Sequence, residues 1–329
     1  MTTTTKKRSS RFSQYRGPGA LIVLALVLSL VTILSGCSIS SGGISTPTNR
    51  YALLIGVQDY ETINDLSYPD DDATDMKTTL EAQGWTTATT LINSEATYAN
   101  IKALIAALST DPDATILVYY SGHGSVDEAT GTTYVLPYDV TLTIDEKWIT
   151  PATMTDWLAA VPAKNRLLIL DSCYSGGFAL GDGSVDTSPA SYGTYEDGTS
   201  DRGLIAAALS KFSSLVSTNL SAYGNSEVLT IAAAGSEEYS YDDDEHENGA
   251  FTYYLLQAAD NADSDSDGYV TADEAYVYAK NKIKTIWDAD YTGNAQNWQW
   301  YYNYYGYVPD FLPHISGGTG DIVLYANAD

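Results

Sequence analysis

The feature that most constrains this chain is a set of short runs, apolar at nearly every position, separated by stretches of helical spacing. "YALLIGV" (51–57), "TILVYY" (115–120), "RLLIL" (166–170) and "EVLTIAA" (227–233) carry aliphatic and β-branched side chains with little alternation. A strand that is apolar on both sides must be covered on both sides. That is the signature of a mostly parallel sheet between two layers of helices. Helical patterns fill the intervals. Residues 70–83 have an acidic first turn and Gly84 just past the end, 97–108 place Ile101, Leu104, Ile105 and Leu108 on one face, and 152–160 form a shorter segment. Further strands are expected at 86–92, 133–137 and, closing the chain, "DIVLY" at 321–325. The expected fold class is α/β, with a mostly parallel central sheet and helices on both faces.

In such sheets ligands gather beyond the carboxyl ends of the strands. Two rare residues fall there. His123, one of three histidines, lies in "SGHG" just after the strand ending at Tyr120, and Cys173, one of two cysteines, lies in "DSCYSGG" after the strand ending at Leu170. Parallel neighbouring strands put both on one rim. A thiol becomes a strong nucleophile when an imidazole takes or balances its proton, and the same imidazole can then protonate a leaving amine. The small flanking residues leave backbone N–H groups free to hold an oxyanion, and those of Gly124 and Cys173 are the candidates. Zinc is the weaker alternative, because one Cys and three scattered His give no ligand spacing.

The N-terminus sharpens the cysteine argument. Lys6, Lys7, Arg8, Arg11 and Arg16 precede an apolar stretch from Ala20 to Leu34, which ends in "LSGC". The apolar stretch is too short to suggest a spanning helix and suits a signal peptide. "LSGC" resembles the lipobox of bacterial lipoproteins, which implies cleavage before Cys37 and lipid on its thiol. Residues 1–36 are therefore expected to be a signal peptide and 37–49 a Ser/Gly/Thr-rich tether. Residues 50–329 then form one exported, membrane-anchored domain. No second cysteine then remains for an intrachain disulfide with Cys173, in a compartment where cysteines usually form them. The net charge of −26 argues against nucleic acid or an anionic membrane surface as the main partner. A cationic substrate or a bound cation suits it better.

"YALLIGVQDY", "DDDATDM", "YYSGHG" and "LLILDSCYSGG" occur in that order, and together they resemble the caspase-like cysteine peptidases, in particular the bacterial metacaspase-type proteins. The "Gln-Ala-Cys" of true caspases is replaced by "Asp-Ser-Cys". The resemblance implies a caspase-like three-layer sandwich with His123 and Cys173 as the catalytic dyad. It also implies an acidic pocket selecting Arg or Lys at the cleaved position, at motif positions Asp72, Ser121 and Asp171. Three adjacent aspartates leave the choice among Asp70, Asp71 and Asp72 open.

"DSDSDGYVTADE", Asp263 to Glu274, fits the EF-hand calcium loop position by position. Asp263, Asp265 and Asp267 fill positions 1, 3 and 5, and Gly268 makes the turn at 6. The Tyr269 carbonyl, Thr271 and the Glu274 carboxylate take 7, 9 and 12. Helical patterns flank the loop. Such loops usually come in pairs and only one is visible, so Ca2+ here is either a rigid staple or a regulator.

Other expectations are coarser. The acidic loop 235–247 follows a strand and would lie on the dyad's rim. Glu238 and Ser240 resemble an acidic-plus-serine motif of related bacterial sequences, which implies cleft residues. A solvated acidic loop is the alternative, and His246 is expected outside the site. Arg202, in the long loop after Cys173, is a candidate self-cleavage point. The aromatic stretch 298–307 is expected to pack. The sequence-level conclusion is an exported cysteine endopeptidase acting on peptides or proteins with a basic cleavage residue. A catalytically dormant calcium-binding surface protein and a cysteine-dependent transpeptidase or ligase are the alternatives.

Overall fold

The structure, a computed structural model, describes residues 49–127, 129–173, 228–234, 240, 242–287 and 312–326. These all belong to one compact unit, 44–329. The signal-peptide and tether region, Cys37, Arg202, Glu238 and the aromatic stretch 298–307 lie outside the described residues. No described helix is long and apolar enough to cross a membrane.

Five strands form the parallel part of the central sheet: β1 (Arg50–Gly56), β2 (Thr86–Ile92), β3 (Thr115–Ser121), β6 (Asn165–Asp171) and β7 (Val228–Ala232). A short antiparallel strand, β11 (His314–Ser316), closes the edge beside β7, giving the order β11-β7-β6-β3-β1-β2. Every residue of β3 is buried, as a strand covered on both faces requires.

The pleat sends alternate residues to opposite layers. Ala52, Leu54, Leu117, Tyr119, Leu167 and Ile169 pack with α1 (Pro69–Ala82), α4 (Ala250–Asn261) and α5 (Ala272–Trp287). Leu53, Ile55, Val118, Tyr120, Leu168 and Leu170 pack with α2 (Tyr98–Ala106) and α3 (Pro151–Ala159). This is the expected three-layer α/β sandwich, with helix ends within one or two residues of the sequence-based spans.

Three features depart from the expectation or were not foreseen. The strand at 133–137 belongs to a hairpin outside the main sheet, in which β4 (Gly124–Asp127) pairs with β5 (Thr132–Val135). The antiparallel β11 was not anticipated, because three residues with no flanking periodicity carry too little pattern. The closing strand β12 (Val323–Ala326) does not join the central sheet. It pairs antiparallel with β10 (Tyr269–Thr271), the strand inside the acidic loop.

Candidate active site

Register assembles the site. Ser121 at the end of β3 stands opposite Asp171 at the end of β6. Two residues further along each chain are His123 and Cys173, so equal offsets from a paired position bring the imidazole and the thiol to one rim. The two loops are tied directly, since Gly122 N–H donates to the Asp171 carbonyl at 3.2 Å. A Cβ on Gly124 would overlap the Cys173 carbonyl oxygen. Glycine there allows the histidine and cysteine loops to touch. His123, Cys173, Asp72, Ser121, Asp171 and Gly249 line one small cleft.

The histidine ring is oriented by backbone. Its Nε2 lies 2.8 Å from the Asn64 carbonyl oxygen. A carbonyl only accepts, so Nε2 carries the proton and Nδ1 keeps a bare lone pair. Burial holds the His123 pKa below the usual imidazole value, opposed by the Asn64 carbonyl and by Asp65. The ring is therefore neutral at pH 7. The half-buried Cys173 Sγ donates to the Ser240 carbonyl at 3.9 Å. A neutral imidazole with one basic nitrogen, in the same cleft as a thiol, can accept that thiol's proton.

A pair of carboxylates forms the other wall. The alternation of the pleat turns Ser121 and Asp171 toward the α1/α4 layer, where α1 brings in Asp72. Helix α1 reaches this position because Gly56 has no side chain: a Cβ there would overlap the Pro69 carbonyl and come within 2.9 Å of Ala73 Cβ. Of the three adjacent aspartates, only Asp72 is buried. Its Oδ2 accepts from Ser121 Oγ at 2.7 Å and its Oδ1 from Gly249 N–H at 2.8 Å. Asp171 Oδ2 accepts from Thr252 N–H at 3.1 Å and Thr252 Oγ1 at 2.7 Å, and its Oδ1 from Ser240 Oγ. The N-terminus of α4 thus spends two backbone donors on carboxylates from two other elements, and its positive dipole end faces both. Burial raises both pKa values, and repulsion from Asp171 adds to the rise at Asp72.

The acidic loop sits apart from this cleft, after the far end of α4. Carboxylate oxygens of Asp263, Asp265 and Asp267 lie within 4.8 Å of one another. They cap the loop's own amides: Asp263 Oδ2 accepts from Gly268 N–H at 3.1 Å and Asp267 Oδ1 from Tyr269 N–H at 2.9 Å. Gly268 has a φ of 89°, the left-handed turn that the sequence pattern requires of it. Glu274 folds back to accept from Ser264 and Thr271, amide and hydroxyl of each. Burial pushes its pKa up, but these bonds outweigh it and hold the carboxyl below its usual value. The donor set is all oxygen and strongly anionic, which fits a hard cation such as Ca2+. Strand β10 finds its antiparallel partner in β12 of this same chain.

The sequence reading missed several contributors. Asn64, Gly249 and Thr252 act through backbone groups or helix-end position, and no side-chain motif marks them. His246 stays outside the cleft as expected, bound to Asp243 Oδ2 at 2.8 Å on an exposed hairpin of β8 (Asp242–Asp243) and β9 (Asn248–Gly249).

A three-layer α/β sandwich with a thiol and an imidazole at the carboxyl ends of adjacent parallel strands defines a class of cysteine-hydrolase scaffold. A family model for the caspase domain matches residues 49–300, and the chain belongs to that family. No curated protein matches it. Among solved structures it is similar to caspase-1 from Spodoptera frugiperda, at 12% identity and a TM-score of 0.50, over 87% of this chain and 93% of that one. A protein of Geobacter sulfurreducens is similar at 18% identity and a TM-score of 0.47, over 71% of this chain and 89% of that one.

Proposed function

We propose that the chain is an exported, lipid-anchored cysteine endopeptidase of metacaspase type that hydrolyses peptide bonds after Arg or Lys. The observation that carries the catalytic part is the pairing of Ser121 with Asp171, which sets His123 and Cys173 at equal offsets, together with the Asn64 contact that leaves Nδ1 basic. Cys173 Sγ attacks the scissile carbonyl carbon as its proton passes to His123 Nδ1. The N–H groups of Gly124 and Cys173 hold the oxyanion. The imidazolium returns the proton to the amine as the C–N bond breaks. Water, deprotonated by the same nitrogen, then cleaves the thioester.

The support for basic specificity is electrostatic. Asp72 and Asp171 are crowded in a buried cleft, where lost solvation raises both pKa values and repulsion from Asp171 adds to the rise at Asp72. A guanidinium or ammonium relieves both, whereas an aspartate side chain would add a third negative charge. Ca2+ is assigned to the loop from Asp263 to Glu274, with Asp263, Asp265, Asp267, the Tyr269 carbonyl, Thr271 and Glu274 as its protein ligands. Bound there, it would neutralise the carboxylates and hold α4 and α5 together. Export and lipidation at Cys37 rest on the N-terminal sequence pattern.

The test is an assay of the chain from Ser38 onward on Arg, Lys and Asp peptides, with Cys173→Ala as control. Cleavage after Arg and Lys, abolished in the control, is the expected result. Equal or better turnover of the Asp peptide overturns the specificity, and unchanged activity of Cys173→Ala overturns the nucleophile.

A further inference from the structure

His123 is held by more than its ring. Its backbone N–H donates to Tyr60 Oη at 2.7 Å. Its carbonyl accepts from Tyr120 Oη at 2.8 Å and from Leu136 N–H at 3.0 Å. Tyr120 Oη also lies 2.8 Å from the Leu136 carbonyl and accepts from Leu136 N–H at 3.2 Å. The two phenol oxygens are 3.3 Å apart. The short carbonyl contacts take Tyr120's single proton, so Tyr60's proton bridges to Tyr120 and every donor in the ring is used. The Tyr60 ring also packs against the imidazole, with centroids 4.9 Å apart.

Both tyrosines are buried. Tyr120 comes from β3 on the α2/α3 face, and Tyr60 from the loop after β1 that also carries Asn64. The residue between strand and histidine completes the arrangement. A Cβ on Gly122 would stand 2.6 Å from Tyr120 Oη and 2.7 Å from Tyr60 Oη. Glycine is needed there so that two hydroxyls can close on the backbone beside it. Burial raises both phenol pKa values, so the hydroxyls stay protonated wherever the enzyme would work.

We propose that Tyr60 and Tyr120 are positioning residues, a two-hydroxyl clamp that grips the peptide groups on both sides of His123 and fixes the imidazole against Asn64 and toward Cys173. This rests on the dyad reading above. The physical case is that a histidine at the start of a surface hairpin, preceded by glycine, would otherwise turn about its own backbone. Nδ1 would then point at the thiol only part of the time. The clamp removes that freedom at the backbone, and Asn64 removes it at the ring. Neither tyrosine touches substrate, so loss of either hydroxyl should act on the chemical step more than on binding.

The experiment uses Tyr60→Phe and Tyr120→Phe, with His123→Ala as reference and Tyr325→Phe as control. Tyr325 is equally buried and its hydroxyl donates to the Leu255 carbonyl at 3.0 Å, in the opposite layer. Two readouts are taken: steady-state kinetics, and the pH profile of Cys173 alkylation by iodoacetamide, which needs no substrate pocket. The expected result is a fall in kcat of about 10- to 100-fold with KM within about threefold for both clamp variants. Their alkylation profiles should shift toward that of His123→Ala, while Tyr325→Phe keeps kcat and profile. Wild-type kcat and profile in the folded clamp variants overturn the proposal, as does an equal loss in Tyr325→Phe. If His123→Ala leaves the alkylation profile unchanged, the dyad reading itself falls. Should the clamp variants not fold, amide exchange in the wild type decides. Protection of the His123 N–H is expected, and exchange as fast as that of an exposed loop overturns the clamp.

Discussion

Asp72 and Asp171 are two carboxylates in one buried pocket, and their cost to the fold can be separated from their use. A carboxyl whose native pKa lies above its unfolded value holds its proton more tightly when folded. Its ionisation at higher pH therefore subtracts from stability, and the penalty fades as pH falls through the raised value toward the unfolded one. Asp72→Asn removes one charge of the pair while keeping the side chain's shape, and Ser121 Oγ can turn from donor to acceptor. At pH 7 this variant should melt at or above the wild-type temperature, with the gap narrowing at lower pH. Its KM for Arg peptides should rise at least about tenfold, since the proposed ion partner for the substrate is gone. Thermal melts from pH 4.5 to 8 and kinetics on the same preparations check both halves. A variant that melts well below wild type at pH 7, while keeping KM, would show that the carboxylate is structural.

Helix α4 is the element that makes the pocket tolerable. Gly249, its N-cap, donates to Asp72, and Thr252 in its first turn donates twice to Asp171. Gly249 has φ −60° and ψ 137°, a conformation open to any residue, so its identity answers to space alone. A Cβ there would overlap Asp171 Oδ2 and stand 3.0 Å from Asp72 Oδ2. Gly249→Ala should therefore fill the gap between the carboxylates. The expected outcome is a KM for Arg peptides raised about tenfold or more, with Cys173 alkylation by iodoacetamide within about twofold of wild type. Parallel loss of alkylation would mean that the whole rim had moved. The same helix shows where sequence reading stops. His123 and Cys173 were legible because chemistry-bearing side chains sit at strand ends, where parallel topology gathers them, whereas Ser121 and Asp171 came only from the motif positions of the family resemblance. Asp72 was legible only as one of three, because burial distinguishes it and periodicity does not. Gly249 and Asn64 were invisible, since they act through peptide groups that every residue carries. Strand β12 read as another apolar strand; its β10 partner is a long-range pairing that no local pattern encodes.

At the scale of the whole molecule, both helices that hold the pocket end at the same remote place. Helix α4 spans 12 residues, about 18 Å at 1.5 Å per residue. Just beyond its C-terminal end the acidic loop begins at Asp263. Helix α1 carries Asp72 in its first turn, and just past its other end Gln83 Oε1 accepts from Ala326 N–H at 2.8 Å. Nearby, Trp85 Nε1 donates to the Leu324 carbonyl at 2.8 Å. Ala326 and Leu324 belong to β12, which pairs with β10 inside the acidic loop. The loop therefore fastens the far ends of the two helices whose near ends form the pocket. Three clustered carboxylates repel across that fastening, and the proposed Ca2+ would offset that repulsion. Chelation should lower the melting temperature by several degrees relative to millimolar Ca2+. It should also raise KM for Arg peptides about 5- to 20-fold, with a smaller effect on kcat, because the pocket is built on the near ends of those two helices and the dyad on strand ends. Glu274→Gln should reproduce both effects without chelator. By linkage, a bound Arg-containing substrate analogue should tighten Ca2+ by the same factor as Ca2+ tightens the analogue. Calorimetric titration of Ca2+ into the Cys173→Ala protein, with and without that analogue, reads the reciprocal term. Equal Ca2+ affinity in the two titrations, or an unchanged melting temperature in chelator, would disconnect the loop from the pocket.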